Sequence, residues 1–173
     1  MRSPFPVFAL SVAAFALTGC CYHTLDAAKA LPESIHTIAV TPWANATIQY
    51  KLSERITAAI SRELISRTHY TIIADPAKAD AVLSGSVVNV LSNATVNDPV
   101  LNRSTAGQVT AYLQVKLIAK DGKVLFNRPN IELRERYEIA TTPGQYFDES
   151  AVALDRLSQD AARTVVSAIL ENF

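Results

Sequence analysis

Residues 107–120 constrain the fold more than any other segment of this 173-residue chain. Apolar and polar side chains alternate along this segment, which is typical of a β-strand with one buried face and one solvated face. The next two residues are Asp121 and Gly122, a pair that favours a type I′ hairpin turn. We therefore predict that residues 123–139 return as an antiparallel strand.

The return strand also predicts an irregularity. A two-residue turn pairs Lys120 with Lys123, and a regular register from there would place Leu113 on the same face as polar residues of the return strand. A shift of one residue after Pro129 restores the pairing of apolar side chains, and register is strongly specified where one face is buried. We therefore predict a β-bulge at residues 128–130.

The rest of the chain predicts an α+β domain. The elements are an interior strand over 35–40, a helix over 51–67, strands over 70–74 and 81–90, a mobile polar loop over 92–105, and a helix over 148–170 capped by Asp148. Gly85 within the third strand predicts close approach of another backbone or a bulge. The order β-α-β-β-β-β-α predicts a two-layer sandwich, with two helices packed on one face of a four- to five-stranded mixed or mostly antiparallel sheet.

The start of the chain is typical of a secretory leader. Arg2 supplies a positive charge, and the apolar stretch over residues 4–17 is too short to cross about 30 Å of hydrocarbon. Residues 17–20, Leu-Thr-Gly-Cys, resemble a bacterial lipobox. This resemblance implies that residues 1–19 are removed and that Cys20 is acylated, with chains such as palmitate. A plain secretory signal with a chance cysteine is the alternative.

Lipidation would make the remaining chain a membrane-anchored domain. Three acyl chains on Cys20 hold a protein on a bilayer far more firmly than one. Residues 20–34 then form a lipidated tether, and residues 35–173 form a single domain. The residue after the lipidated cysteine is Cys21 rather than the aspartate that marks inner-membrane retention, so we expect a periplasm-facing location at the outer membrane.

Composition and motifs exclude several classes of function. The chain has 16 basic and 16 acidic residues, without the basic excess of a nucleic-acid-binding protein. Both cysteines lie at the lipidation site, so the domain has no disulfide framework and no cysteine-ligated metal site. His36 and His69 lack a recognisable nucleophile or acid partner, and no glycine-rich nucleotide motif is present. We therefore expect no catalytic site, metal or cofactor.

The charged stretch over residues 132–138 is the main candidate for a binding surface. Arg134 and Arg136 would share one strand face, and Lys116 and Lys120 lie on the neighbouring strand. One interpretation is a solvated, self-compensating ladder of cross-strand charge pairs. The other is a surface that meets phosphorylated sugar or a partner wall, since arginine binds phosphate well.

Several segments together resemble one family. Residues 38–45 (IAVTPWAN) are similar to its Ile-Ala-Val-x-Pro-Phe-x-Asn opening, and residues 80–87 (DAVLSGSV) are similar to its Ala-Asp-x-x-Leu-x-Gly-x-Val strand. The lipobox followed by Tyr22 resembles its Gly-Cys-Gly-Tyr start, except that Cys21 replaces glycine. The family is the LPS-assembly lipoprotein family, LptE, and the resemblance covers nearly the whole chain.

This resemblance implies a function without covalent chemistry. The family's members plug and help assemble the LptD outer-membrane barrel and assist lipopolysaccharide insertion into the outer leaflet. It thus implies three partners for this chain, namely the barrel, lipopolysaccharide, and the bilayer through acylated Cys20. The alternative is another envelope lipoprotein, acting as an interaction scaffold or as a secretion-system subunit of the curli-secretion or TolB N-terminal type, because those proteins share part of the motifs.

Overall fold

The computed structural model describes residues 31–98, 103–139 and 150–171. The bounds of the elements are β1 Thr37–Val40, β2 Ala44–Asn45, α1 Tyr50–Arg67, β3 Thr71–Ile73, a 3-10 helix Pro76–Lys78, β4 Ala81–Asp98, β5 Arg103–Ala119, β6 Val124–Glu138 and α2 Ser150–Glu171. The leader, Cys20 and the proposed cap Asp148 lie outside the described residues.

The strands form one sheet in the order β3-β1-β4-β5-β6, with β2 paired to β4. β1 is parallel to both of its neighbours, whereas β4, β5 and β6 run antiparallel to one another. The predicted interior position of the first strand is therefore confirmed. The described residues contain six strands, more than the four to five predicted, because the two-residue β2 adds a short parallel pairing at Ser86 and Val87.

The two helices lie side by side and run parallel. Near their N-terminal ends, Arg55 Nη1 donates to the carbonyl oxygen of Ala151 at 2.9 Å. Near their C-terminal ends, Arg67 Nη1 donates to Ser167 Oγ at 2.8 Å. The predicted helices over 51–67 and 148–170 thus form close to their expected bounds.

One face of the sheet and both helices enclose the hydrophobic core. Between residues 107 and 117, the alternating residues of β5 that face the helices are buried, and the apolar ones pack with the apolar stripes of α1 and α2. This group includes Val109, Ala111, Leu113, Val115, Leu117, Leu52, Ile56, Ile60, Leu157, Val165 and Ile169. The opposite face of the sheet carries polar side chains along β5. The predicted two-layer α+β sandwich is therefore confirmed.

The turn between β5 and β6 differs from the predicted type I′ turn. The Gly122 N–H donates to the Ala119 carbonyl at 2.9 Å, and the Ala119 N–H donates to the Lys123 carbonyl at 2.9 Å. The loop therefore contains three residues, and Gly122 takes the positive φ of 88° that such a loop requires at its last position. Ala119 rather than Lys120 lies opposite Lys123, and a register shift restores the predicted pairing further along.

The predicted bulge in β6 is confirmed. Leu113 pairs with Ile131, whereas Val115 pairs with Arg128, so residues 129–130 together oppose a single residue of β5. Proline has no N–H to donate to a ladder, which is why it is tolerated at a bulge. The shift keeps apolar side chains of both strands on the helix-facing side of the sheet.

Residues 92–105 were expected to form a mobile loop, and this expectation is wrong for residues 92–98 and 103–105, which are strand; residues 99–102 lie outside the described residues. β4 continues to Asp98, which pairs with Arg103 at the outer end of the β4–β5 ladder. Main-chain hydrogen bonds satisfy the backbone of a strand pair even where no side chain is buried, so a polar sequence can stay extended there. We call the outer part of this three-stranded region the arm; it consists of residues 88–98, 103–112 and 131–138.

Candidate partner surface

The two motifs that resemble the family, residues 38–45 and residues 80–87, meet where Trp43 lies against Gly85. A Cβ atom on Gly85 would lie only 2.5 Å from Trp43 Cε2, so the indole needs glycine beneath it. Trp43 is buried, and its main-chain N–H donates to Thr57 Oγ1 on α1 at 3.2 Å. The close approach expected at Gly85 is made by an aromatic side chain rather than by another backbone. These motif residues therefore build the core.

Asn45 organises the loop that leads into α1. Its side-chain Oδ1 accepts from the Thr47 N–H at 2.9 Å and from Thr47 Oγ1 at 2.8 Å. Its Nδ2 donates to the Gln49 carbonyl at 2.9 Å. Ile48 lies between these anchored residues with its side chain 92% exposed. The loop thus holds an isoleucine in solvent at the end of the molecule from which the arm extends.

Charges on β6 follow the predicted alternation. Glu132, Arg134, Arg136 and Glu138 are exposed, and Leu133, Glu135 and Tyr137 are half-buried. The half-buried set faces α2, since Arg156 Nε on that helix lies 3.0 Å from Glu135 Oε1. The exposed set therefore points to the opposite, open face of the sheet.

Arg134 is already engaged on that open face. Its Nε donates to Glu132 Oε1 at 2.6 Å, and its Nη2 lies 2.5 Å from the same oxygen. Such an exposed pair contributes little to stability because water and salt screen it. It does reduce the positive charge that Arg134 offers to a ligand.

The structure brings two of the four candidate basic residues together. Arg134 and Arg136 are neighbours on the open face of the arm, and Arg134 lies opposite Thr110 of β5. Lys116 lies on the same face, but six residues along β5 from Thr110, which is about 20 Å. Lys120 lies in the hairpin turn at the far end of the strand. The four residues therefore do not form a single cluster.

Tyr137 covers the middle of the arm on the helix-facing side. A Cβ atom on Gly107 would lie 2.5 Å from Tyr137 Cζ, so the ring rests directly on the glycine backbone. The Tyr137 hydroxyl reaches across β5 to Ser92 Oγ at 3.0 Å. An aromatic ring placed across a strand glycine stabilises it, and here the ring ties all three strands together.

The described part of the chain contains no arrangement of side chains that is typical of a catalytic site. Within it, no group of three or more His, Cys, Asp or Glu residues could hold a metal ion. The pKa of Asp80 is held below its usual value of 3.8, first by the Thr37 hydroxyl and then by the main-chain N–H groups of His36 and Thr37. That carboxylate has a structural role, because its hydrogen bonds join β1 to β4.

None of the described helices is long and apolar enough to cross a membrane.

The structural roles of Asp80 and Asn45 were not predicted. The Asn45-Ala46-Thr47 triplet carried a signal, because asparagine and threonine side chains often bond to the backbone two residues on. No such signal marks Asp80, because Thr37, its hydrogen-bond partner, is 43 residues away in the sequence.

Solved structures with the same fold include two bacterial lipoproteins and the PelC dodecamer. Lipoprotein B from Nitrosomonas europaea has a TM-score of 0.53 at 13% identity, covering 82% of this chain and 94% of that one. Rare lipoprotein B from Shewanella oneidensis has a TM-score of 0.51 at 13% identity, covering 76% and 94%. The PelC dodecamer from Paraburkholderia phytofirmans has a TM-score of 0.50 at 17% identity, covering 82% and 91%.

No individually curated protein matches the chain. A family model does, and its match begins just before β1 and ends near the C-terminal end of α2, covering residues 35–169. The matched region includes Trp43, Gly85 and the whole arm. The chain therefore belongs to the LptE family of lipopolysaccharide-assembly lipoproteins.

Proposed function

We propose that this protein helps to assemble and plugs a large outer-membrane β-barrel of the LptD kind, and that it assists lipopolysaccharide insertion into the outer leaflet. Membership of the LptE family across residues 35–169 is the observation that carries the proposal. That family is non-enzymatic, associated with the cell envelope, and works in lipopolysaccharide assembly. The barrel, its plugging and the outer-leaflet step are our inference for this chain.

The open face of the sheet suits a polar, water-filled environment. Gln114 and Lys116 are exposed on β5, and the exposed side chains of β6 beyond the bulge are charged. The lumen of a large outer-membrane barrel is likewise polar, whereas its lipid-facing surface is apolar. A two-layer domain with its core between the helices and one sheet face can therefore present the polar part of the other face to a lumen wall.

Arg134 and Arg136 are the residues that we propose for contact with the partner or with lipopolysaccharide phosphate. Both lie on the open face of the arm, and guanidinium groups suit bidentate recognition of phosphate. Lys116 is proposed as a more distant contact on the same face, and Lys120 as one at the hairpin turn. A ligand that touched all four would have to extend along most of β5.

Acylated Cys20 is proposed to anchor the domain at the periplasmic side of the outer membrane. A Cys20→Ala variant should accumulate as an unlipidated precursor, which labelling with a fatty-acid analogue measures. Cys21→Ser is the matched control and should be labelled like the wild type. Labelling of Cys20→Ala at the wild-type level would rule out lipidation at this cysteine.

Affinity purification of the full lipidated chain from detergent-solubilised envelopes tests the partner. We expect a large heat-modifiable barrel protein to be recovered in stoichiometric amount. Recovery of soluble periplasmic proteins without a barrel would contradict the plug and would favour the scaffold alternative. The Cys20→Ala variant is purified in parallel. It distinguishes a barrel that is lost because the domain is no longer anchored at the membrane from one that is lost because the two proteins no longer bind.

A further inference from the structure

The two outer edges of the arm differ in how they are protected against strand pairing. The free edge of β6 carries six charged residues, a proline and a bulge, all of which discourage another strand from pairing. In addition, Arg156 Nη2 on α2 reaches the Arg136 carbonyl at 3.5 Å. This edge is therefore blocked in the ways that natural sheets use.

The outer edge of β4 has none of these protections over residues 89–94. Residues 81–97 contain no charged residue and no proline, and Asp98 is the first charge along the strand. β2 covers this edge only at Ser86 and Val87, where the Ala46 N–H donates to the Val87 carbonyl at 3.0 Å. Beyond Val87, no described residue pairs with the outer side of β4.

The unprotected edge also carries exposed apolar side chains, and part of it is regular. Val88, Leu91 and Val96 are 43%, 43% and 54% exposed, so three of the exposed large hydrophobic side chains lie along this one strand. Register shifts flank residues 89–94 on both sides, which leaves a regular stretch of six residues between them. Along such a stretch every second residue directs its N–H and C=O outward, where none of the described residues pairs with them.

We propose that residues 89–94 of β4 pair with an extended segment of the barrel partner, which adds a strand to the arm. Main-chain hydrogen bonds would supply the affinity, and the side chain of Leu91 would pack against a neighbour on the added strand. The inference rests on the proposed function, because it assigns the partner's contact to one edge. It adds the mode of contact and the residues that make it.

The size of the edge argues for a segment of a larger partner rather than for a second copy of this chain. Six residues span about 20 Å along a strand, and the neighbouring strand lies about 5 Å away. Pairing two such edges buries far less than the roughly 1,200 Å² that a stable protein–protein interface needs. A larger partner also contacts this protein at other places. Its edge segment therefore does not have to bury that whole area by itself.

Lysine substitutions on the edge test the proposal, because an edge lysine opposes strand addition. Asn89→Lys with Asn93→Lys should reduce barrel recovery several-fold in the affinity purification, with the melting temperature unchanged. Gln114→Lys is the comparison for the open face, since Gln114 is exposed on that face but lies on a central strand; it should reduce barrel recovery less than the edge variant does. Equal losses in both variants would overturn the edge proposal, because contact would then be with the face.

A photo-crosslinking residue at Leu91 keeps the test independent of the lysine variants' folding. We expect a crosslink to the barrel, identified by the mass of the product. A crosslink to a second copy, or none while the barrel still co-purifies, would overturn the inference and leave the proposed function standing. If the wild-type chain recovers no barrel, the proposed function fails and this inference fails with it.

Discussion

Thr37 at the start of β1 and Asp80 just before β4 hold each other through four hydrogen bonds. Asp80 Oδ2 accepts from the Thr37 hydroxyl at 2.8 Å and from the Thr37 N–H at 2.9 Å. In return, the Asp80 N–H donates to Thr37 Oγ1 at 2.9 Å and to the Thr37 carbonyl at 3.1 Å. The same carboxylate oxygen also accepts from the His36 N–H at 3.0 Å. These bonds fix the parallel pairing of β1 and β4 at the start of both strands.

This arrangement predicts a pH dependence of stability. Because the hydrogen bonds lower the folded-state pKa of Asp80, its contribution is fully present above the ordinary value of 3.8 and is lost as the pH falls through the lower folded-state value. Asp80→Asn removes the charge, so we expect a lower melting temperature at neutral pH and a weaker decline below pH 3.8. Thermal denaturation across this range measures both effects. Asp160→Asn on the exposed face of α2 is the control; an equal loss of pH dependence there would contradict the assignment to Asp80.

Gly85→Ala should destabilise the domain by about 1–3 kcal/mol, the usual cost of forcing an extra carbon into a packed core. The new methyl group would lie 2.5 Å from Trp43, which must move away from β4. Because Trp43 is the sole tryptophan of the chain, its fluorescence reports the displacement directly.

Urea denaturation of Gly85→Ala should be compared with Ser86→Ala on the same strand. We expect the serine variant to stay close to the wild type, since its side chain is partly exposed and needs no extra space. An unchanged unfolding midpoint in Gly85→Ala would show that the indole can shift without cost.

The sequence was sufficient for the parts of the fold that depend on local periodicity and on which face is buried. Alternation along β5 located its buried face, and the clash of polar with apolar side chains located the bulge after Pro129. The turn was misassigned because Asp-Gly suits more than one hairpin loop, and the loop length depends on the pairing of Ala119. The strand character of residues 92–98 and 103–105 was missed because their stability comes from main-chain pairing, which leaves no trace in the pattern of side chains.

Less of the candidate surface than of the fold could be predicted from the sequence. The side of β6 that Arg134 and Arg136 share follows from the two-residue period of a strand. The blocked and unblocked edges of the arm cannot be predicted from that period, because the strands at the edges can be identified only when the order of the strands in the sheet is known. Because β2 is short, no residue in the described part of the chain covers β4 beyond Val87, and two residues are too few to be recognised in a sequence.

Asn45→Ala should loosen the loop that presents Ile48. The change removes both acceptor contacts to Thr47 and the donor contact to Gln49, and a typical hydrogen bond contributes about 1 kcal/mol to stability. We expect a modest loss of stability and faster hydrogen exchange at the Thr47 amide. Asn127→Ala is the matched control on an exposed strand position. Unchanged exchange at Thr47 would show that the loop is held by its chain connections alone.

Replacing Arg134 and Arg136 together by alanine separates the two interpretations of the charged strand. Both side chains are exposed, so we expect the free energy of unfolding to change by less than about 0.5 kcal/mol. If this face contacts phosphate or the partner, the double variant should weaken lipopolysaccharide binding or barrel assembly several-fold, and binding of the wild type should weaken as the salt concentration rises. The control is Arg62→Ala with Arg163→Ala, which removes the same charge from the helical layer and should leave both readouts unchanged. If the β6 variant keeps full binding and full assembly, the strand is a solvated ladder, in which Glu132 compensates Arg134 and no ligand is required.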